Sequence, residues 1–137
     1  MLECLIIGDS IAVGMANARR DCDNIAMSGI NSSEFNRRYL ASNKLTGGYS
    51  TVVISLGTND WDGKRTLSNL VKLRKTISAE RVMWVLPSAK LKPNERAAVL
   101  EVAGRSNDEV IDVPNDLLGK DGIHMTGKGY GVISNGF

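Results

Sequence analysis

The chain has 137 residues, enough for one hydrophobic core and too few for two ordinary domains. Hydrophobic residues make up 42% and charged residues 23%, which excludes a disordered chain, and no apolar run reaches the ~20 residues that span a bilayer. Seventeen Lys and Arg against 15 Asp and Glu leave a net charge of +2, too small to argue for nucleic acid when no basic run is interleaved with aromatics.

Strands and helices alternate along the chain. Residues 2–7 are an apolar run closed by Gly8. They resemble the core of a signal peptide but carry Glu3 and no basic leader, so they read as a buried strand and the chain as cytoplasmic. Residues 11–19 have helical character, and 23–27 form a short second strand. Ser32 or Ser33 is placed to cap a helix through about Ser42 that buries Phe35, Tyr39 and Leu40. Gly47 and Gly48 break the chain before the β-branched strand at 51–56, and Leu67, Leu70, Val71 and Ile77 lie at helical spacing within 64–78. A fourth strand covers 81–86 and stops at Pro87. Pro93 suits the first turn of a helix that ends near Gly104. A fifth strand at 109–113 stops at Pro114, and a last, glycine-rich helix begins near Thr126. Strands buried on both faces and separated by helices imply a five-stranded parallel sheet in a three-layer α/β/α sandwich, one domain over residues 1–137.

Several residues read as structural. Cys4 and Cys22, both placed in strands, are expected as free buried thiols, which suits a reducing compartment. Two scattered cysteines and one histidine do not make a zinc site of ordinary spacing, so no metal and no cofactor is expected. Arg19-Arg20 and Arg37-Arg38 read as solvated helix faces, Trp84 as core, and Lys90 and Lys92 as solvated loop lysines.

Ligands of parallel α/β sheets bind beyond the C-terminal ends of the strands, and four short blocks stand there. Ser10, in Gly8-Asp9-Ser10, follows the first strand, where a serine either caps the next helix or presents its hydroxyl to the cleft. Gly29 follows the second strand, at a turn where a backbone N–H can approach a substrate oxygen closely. Gly57-Thr58-Asn59-Asp60 follows the third, either as an Asx turn or as a side-chain amide aimed at a developing oxyanion. Asp121-Gly122-Ile123-His124 carries the only histidine, with a carboxylate three residues upstream to orient it. Each block alone has an ordinary structural explanation; all four in one order do not.

Together they resemble the SGNH, or GDSL-type, hydrolases, whose four blocks they match from residue 8 to residue 124. The resemblance implies a flavodoxin-like fold and a serine ester hydrolase. In it Ser10 is the nucleophile, His124 the base and Asp121 its orienting carboxylate. Backbone N–H groups of Ser10 and Gly29 and the Asn59 amide would form an oxyanion hole, with Asp9 and Asp60 holding the turns. Met125 departs from the family, where a proline often follows the histidine.

The expected substrate is a small-molecule or carbohydrate ester with a short acyl group, probed by the short, polar connections at 57–63, 88–92 and 115–122. Trp61 is placed either to stack on a sugar ring or an aryl group of the alcohol or to anchor its loop half-buried, and Leu117-Leu118 is the apolar pair to which a longer chain would turn. The same residues would serve an acyltransferase, a thioesterase or a lysophospholipase. A non-catalytic carbohydrate-binding module would have an eroded block, and none is eroded.

Overall fold

In the computed structural model, residues 3–137 are described; Leu2, which the sequence places in the first strand, lies outside them. Five strands run in parallel: β1 (Cys4–Gly8), β2 (Asp23–Ala26), β3 (Tyr49–Ser55), β4 (Ala79–Val85) and β5 (Glu109–Ile111). Their spatial order is β2-β1-β3-β4-β5, so the chain reverses its direction of winding after β2. Five α-helices join them: α1 (Ser10–Ala18), α2 (Ser32–Tyr39), α3 (Gly63–Thr76), α4 (Pro93–Arg105) and α5 (Gly127–Ser134).

The strand alternation divides the core into two layers. Leu5, Ile7, Val52, Ile54, Val82 and Trp84 face one side, where α2, α3 and α4 contribute Phe35, Leu70, Leu73, Val99 and Val102. Cys4, Ile6, Val53, Met83 and Val85 face the other, against Ile11, Ala12 and Met15 of α1 and Tyr130 and Ile133 of α5. A sheet covered on both faces needs apolar residues at consecutive positions, and the fully buried run Cys4–Gly8 is the result. Trp84 is buried as expected, and its ring N–H donates to Asp108 at 3.0 Å.

Helix ends follow local chemistry. Asp9, not Ser10, caps α1 by accepting the Ile11 N–H, and Asn31, not Ser32 or Ser33, caps α2 by accepting that of Glu34. Pro93 takes the first turn of α4 as expected, and Thr126 caps the glycine-rich α5. Gly14 of α1 lies against the Tyr130 ring: a Cβ there would stand 2.4 Å from its atoms, so α1 and α5 pack as closely as they do because residue 14 has no side chain.

Two expectations are corrected here. Cys4 and Cys22 are joined in a disulfide rather than left as thiols. Cys22 precedes β2 instead of lying in it, and the turn after α1 brings it within 4.8 Å (Cα–Cα) of Cys4, well inside bridging range. Arg19 is not on a solvated face either. Its guanidinium pairs with Asp21 at 2.9 Å, donates to the carbonyls of Ser134 and Phe137, and so ties the end of α1 to the last turn of the chain. Arg37 and Arg38 do lie exposed, both paired with Glu34.

Candidate functional site

The segments that follow the C-terminal ends of β1, β2 and β3, and the connection between β5 and α5, carry the four blocks. Gly8, the last residue of β1, has φ +136°, and a Cβ there would stand 1.8 Å from the Ser55 carbonyl oxygen, so only glycine lets β1 turn so close to β3. That turn puts Ser10 at the first position of α1, where its N–H has no intrahelical acceptor. Asp9 beneath it is fully buried. One carboxylate oxygen accepts the Ile11 N–H at 3.1 Å and the Ser55 hydroxyl at 2.9 Å; the other has no hydrogen-bond partner. Burial pushes the Asp9 carboxyl up to about 6, against the pull of its hydrogen bonds from Ser55 and the backbone.

The Ser10 hydroxyl oxygen lies 2.7 Å from His124 Nε2, and His124 Nδ1 lies 2.6 Å from an Asp121 oxygen. The other Asp121 oxygen accepts the backbone N–H groups of Ile123 and His124, both at 2.9 Å. These bonds, that to His124 foremost, hold the Asp121 carboxyl down at about 2. An ionised Asp121 keeps the imidazole proton on Nδ1, which leaves Nε2 as acceptor for the Ser10 hydroxyl. The histidine loop is closed by the Gly119 N–H on the His124 carbonyl at 2.7 Å and by an antiparallel bridge between Leu118 and Met125. Met125 is buried against the α1 side of the core, so its side chain anchors the loop where a proline ring would otherwise stiffen it.

Gly29 and Asn59 approach from the neighbouring strands. Gly29 has φ +80°, a conformation that favours glycine, and its side-chain direction opens on empty space. Asn59 donates one amide hydrogen to the Ile30 carbonyl at 3.0 Å, which joins the loop after β2 to the loop after β3 and leaves the second amide hydrogen uncommitted to that bond. Asp60 is buried and accepts from the Ser32 N–H at 2.9 Å, the Ser32 hydroxyl at 2.5 Å and the Thr66 hydroxyl at 2.6 Å. It is a turn-holding residue, as the sequence suggested.

Lys92 differs from expectation. It is not a solvated loop lysine: its ammonium donates to the Asp60 carbonyl, lies 3.8 Å from buried Glu95, and covers one face of Trp61 at 4.7 Å from the ring centroid. Nothing in the local sequence signals this tether, because its partner lies 32 positions away. Trp61 itself projects into solvent at 92% exposure and lines a hollow of about 160 Å3 with Asn31, Asp62, Arg65 and Asn69. A second, smaller cavity of about 40 Å3 is lined by Ile11, Thr58, Leu86, Pro87 and Ile123, immediate neighbours of Ser10, Asn59 and His124 among them. Leu117 is buried under α5 rather than available to a ligand. The clustering of Cys4, Asp21 and Cys22 is that of the disulfide and its neighbour; the sulfurs are bonded to each other.

No helix among the described residues is long and apolar enough to cross a membrane. No family model and no curated protein sequence matches the chain. Solved structures do. A protein described as lipolytic and of the G-D-S-L family, from Desulfitobacterium hafniense DCB-2, superposes with a TM-score of 0.68 at 12% identity, over 98% of this chain and 97% of that one. A family 3 carbohydrate esterase from Talaromyces cellulolyticus gives 0.66 at 16%, over 97% and 93%. The C-terminal catalytic domain of peptidoglycan O-acetyltransferase A from Streptococcus pneumoniae gives 0.65 at 17%, over 97% and 88%. With five parallel strands in this order and helices on both faces, the chain has the fold of the GDSL-type, or SGNH, hydrolases.

Proposed function

We propose that the chain is an SGNH-type serine hydrolase that cleaves short-chain acyl esters through an acyl-enzyme on Ser10. The observation that carries this reading is the continuous chain of short hydrogen bonds from Ser10 through His124 to an ionised Asp121. Ser10 Oγ attacks the ester carbonyl while His124 Nε2 takes its proton, and Asp121 stabilises the imidazolium that forms. The oxyanion is met by the N–H groups of Ser10 and Gly29 and by the free amide hydrogen of Asn59. As the tetrahedral intermediate collapses, the C–O bond to the alcohol breaks and His124 returns the proton to the leaving oxygen. Water, deprotonated by the same imidazole, then attacks the acyl-enzyme, and Ser10 leaves with the proton restored.

Short acyl specificity is supported by the small cavity lined by Ile11, Thr58 and Ile123, the chain neighbours of Ser10, Asn59 and His124. Its ~40 Å3 of space for water-sized spheres is a few times the ~10–15 Å3 that one such sphere takes, room for a short acyl group and too little for a long alkyl chain. A serine-directed phosphonate is expected to label Ser10 alone, and Ser10→Ala to abolish hydrolysis of p-nitrophenyl acetate while leaving the fold intact. An active alanine variant, or label on another residue, refutes the assignment. Across p-nitrophenyl esters, kcat/KM is expected to fall from acetyl to octanoyl; a steady rise would refute the short-acyl reading.

A further inference from the structure

We propose that Lys92 is a positioning residue for the oxyanion loop: it fixes the peptide that follows Asn59 and through it aims the Asn59 amide. The kinetic consequence rests on the hydrolase reading of Ser10 and Asn59; the contact itself does not.

The loop after β3 is pinned at Asp60, the chain neighbour of Asn59, and every polar group of Asp60 is engaged. Its N–H donates to the Gly57 carbonyl at 3.0 Å, closing the turn that carries Asn59. Its carboxylate accepts from Ser32 and Thr66, which ties the turn to α2 and α3. Its carbonyl accepts from the Lys92 ammonium, which arrives from the loop after β4. The same ammonium lies 4.7 Å from the centroid of the Trp61 ring, so Lys92 grips both residues that follow Asn59.

The ammonium is itself held. Lys92 directly precedes α4, its side chain is 14% exposed, and buried Glu95 lies 3.8 Å away in the first turn of that helix. The Lys92 N–H donates to the Ser88 carbonyl at 2.9 Å, which closes the loop after β4 on itself. Gly57 opens the oxyanion turn with φ +113°, and a Cβ there would stand 3.4 Å from the Pro87 ring and 3.7 Å from Glu95, so the two loops lie against each other. Stability does not account for the buried pair: taking an ammonium and a carboxylate out of water costs about what their attraction returns, and apolar side chains of the same volume often serve as well. An ammonium can donate to a carbonyl and a methyl group cannot, and this carbonyl is one residue from Asn59. Aim matters there, because a displacement of about 1 Å in a catalytic arrangement can cost about 10²-fold in rate.

The test combines Lys92→Met, which keeps the aliphatic stem and removes the donors, with Glu95→Gln, which leaves no buried charge unpaired. In this double variant kcat on p-nitrophenyl acetate is expected to fall about 10–100-fold with KM unchanged, because the oxyanion exists only near the transition state. Glu95→Gln alone leaves the ammonium on the Asp60 carbonyl and should keep most of kcat. In an Asn59→Ala background the same double variant should change kcat by no more than about twofold, since a residue that acts through Asn59 has nothing left to aim. A merely structural role would lower both backgrounds alike. The contact is also read without catalysis, from the Asn59 side-chain amide in NMR: loss of the Lys92 donors should speed solvent exchange of the hydrogen given to the Ile30 carbonyl. An unchanged kcat, a loss that appears in KM, an equal loss in the Asn59→Ala background, or an Asn59 amide that exchanges as before overturns the proposal. If the unmodified protein is inactive on p-nitrophenyl acetate, the hydrolase reading fails and the Asn59 exchange rate alone decides the role of Lys92.

Discussion

Asp9→Asn is expected to stabilise the protein above neutral pH, and the size of the effect can be worked from the burial of that one carboxyl. Asp9 is fully buried, only one of its oxygens is hydrogen-bonded, and its pKa is raised from an ordinary 3.8 to about 6. A folded pKa above the unfolded one means that the native state holds its proton more tightly. The stability this lends is complete below about pH 3.8 and is lost as pH rises through about 6. At about 1.4 kcal/mol for each pH unit between the two values, the loss totals about 3 kcal/mol, with about 2 of it falling between pH 4.5 and pH 8. An asparagine keeps the oxygen that accepts from Ile11 and Ser55 and cannot ionise. Urea denaturation of both proteins at several pH values isolates the term, because every other titrating group is common to them. The variant should gain about 2 kcal/mol on the wild type from pH 4.5 to pH 8. A stability difference that is flat across that range would refute the reasoning and place the Asp9 carboxyl in its ordinary range.

Asp121→Asn should lower kcat/KM by less than His124→Ala does, because an amide can keep accepting the Ile123 and His124 N–H groups while presenting the wrong partner to Nδ1; equal losses in steady-state kinetics would contradict this. Asn59→Ala should reduce kcat by roughly 10²–10³ with little change in KM, the size found when one oxyanion donor is removed. Unchanged kcat would leave Asn59 as no more than the link to the Ile30 carbonyl. Replacing Cys4 and Cys22 together by alanine should cost about 3 kcal/mol in urea, the chain-entropy value for a bridge spanning 18 residues. Two free thiols in the oxidised, folded wild type would remove the basis of that figure. Gly14→Ala should separate α1 from α5 and lower Tm, since a Cβ meets the Tyr130 ring at 2.4 Å; a Tm equal to wild type would show that the ring can move aside.

The alternation of buried strands with amphipathic helices was legible in the sequence because a parallel sheet covered on both faces demands consecutive apolar residues, and the stops of four of the five strands are written in Gly8, Gly57, Pro87 and Pro114. The four blocks were legible through their resemblance to the SGNH hydrolases, three of them following β1, β2 and β3 and the histidine block lying between β5 and α5, on the side where parallel sheets bind ligands. Helix caps shifted by one or two residues, to Asp9 and Asn31, because serine and its acidic or amide neighbours compete for the same N–H groups and local preference cannot rank them. What the sequence could not decide is everything that joins distant positions. The Cys4–Cys22 bridge, the anchoring of Arg19 to the last residues and the reach of Lys92 to the Asp60 carbonyl each require knowing which turns fold back on which strands. Residue type alone made Lys92 a solvated lysine and both cysteines thiols; the packing of α1, α5 and the loop after β4 decided otherwise, because burial and pairing belong to neighbours in space and not to neighbours in the chain.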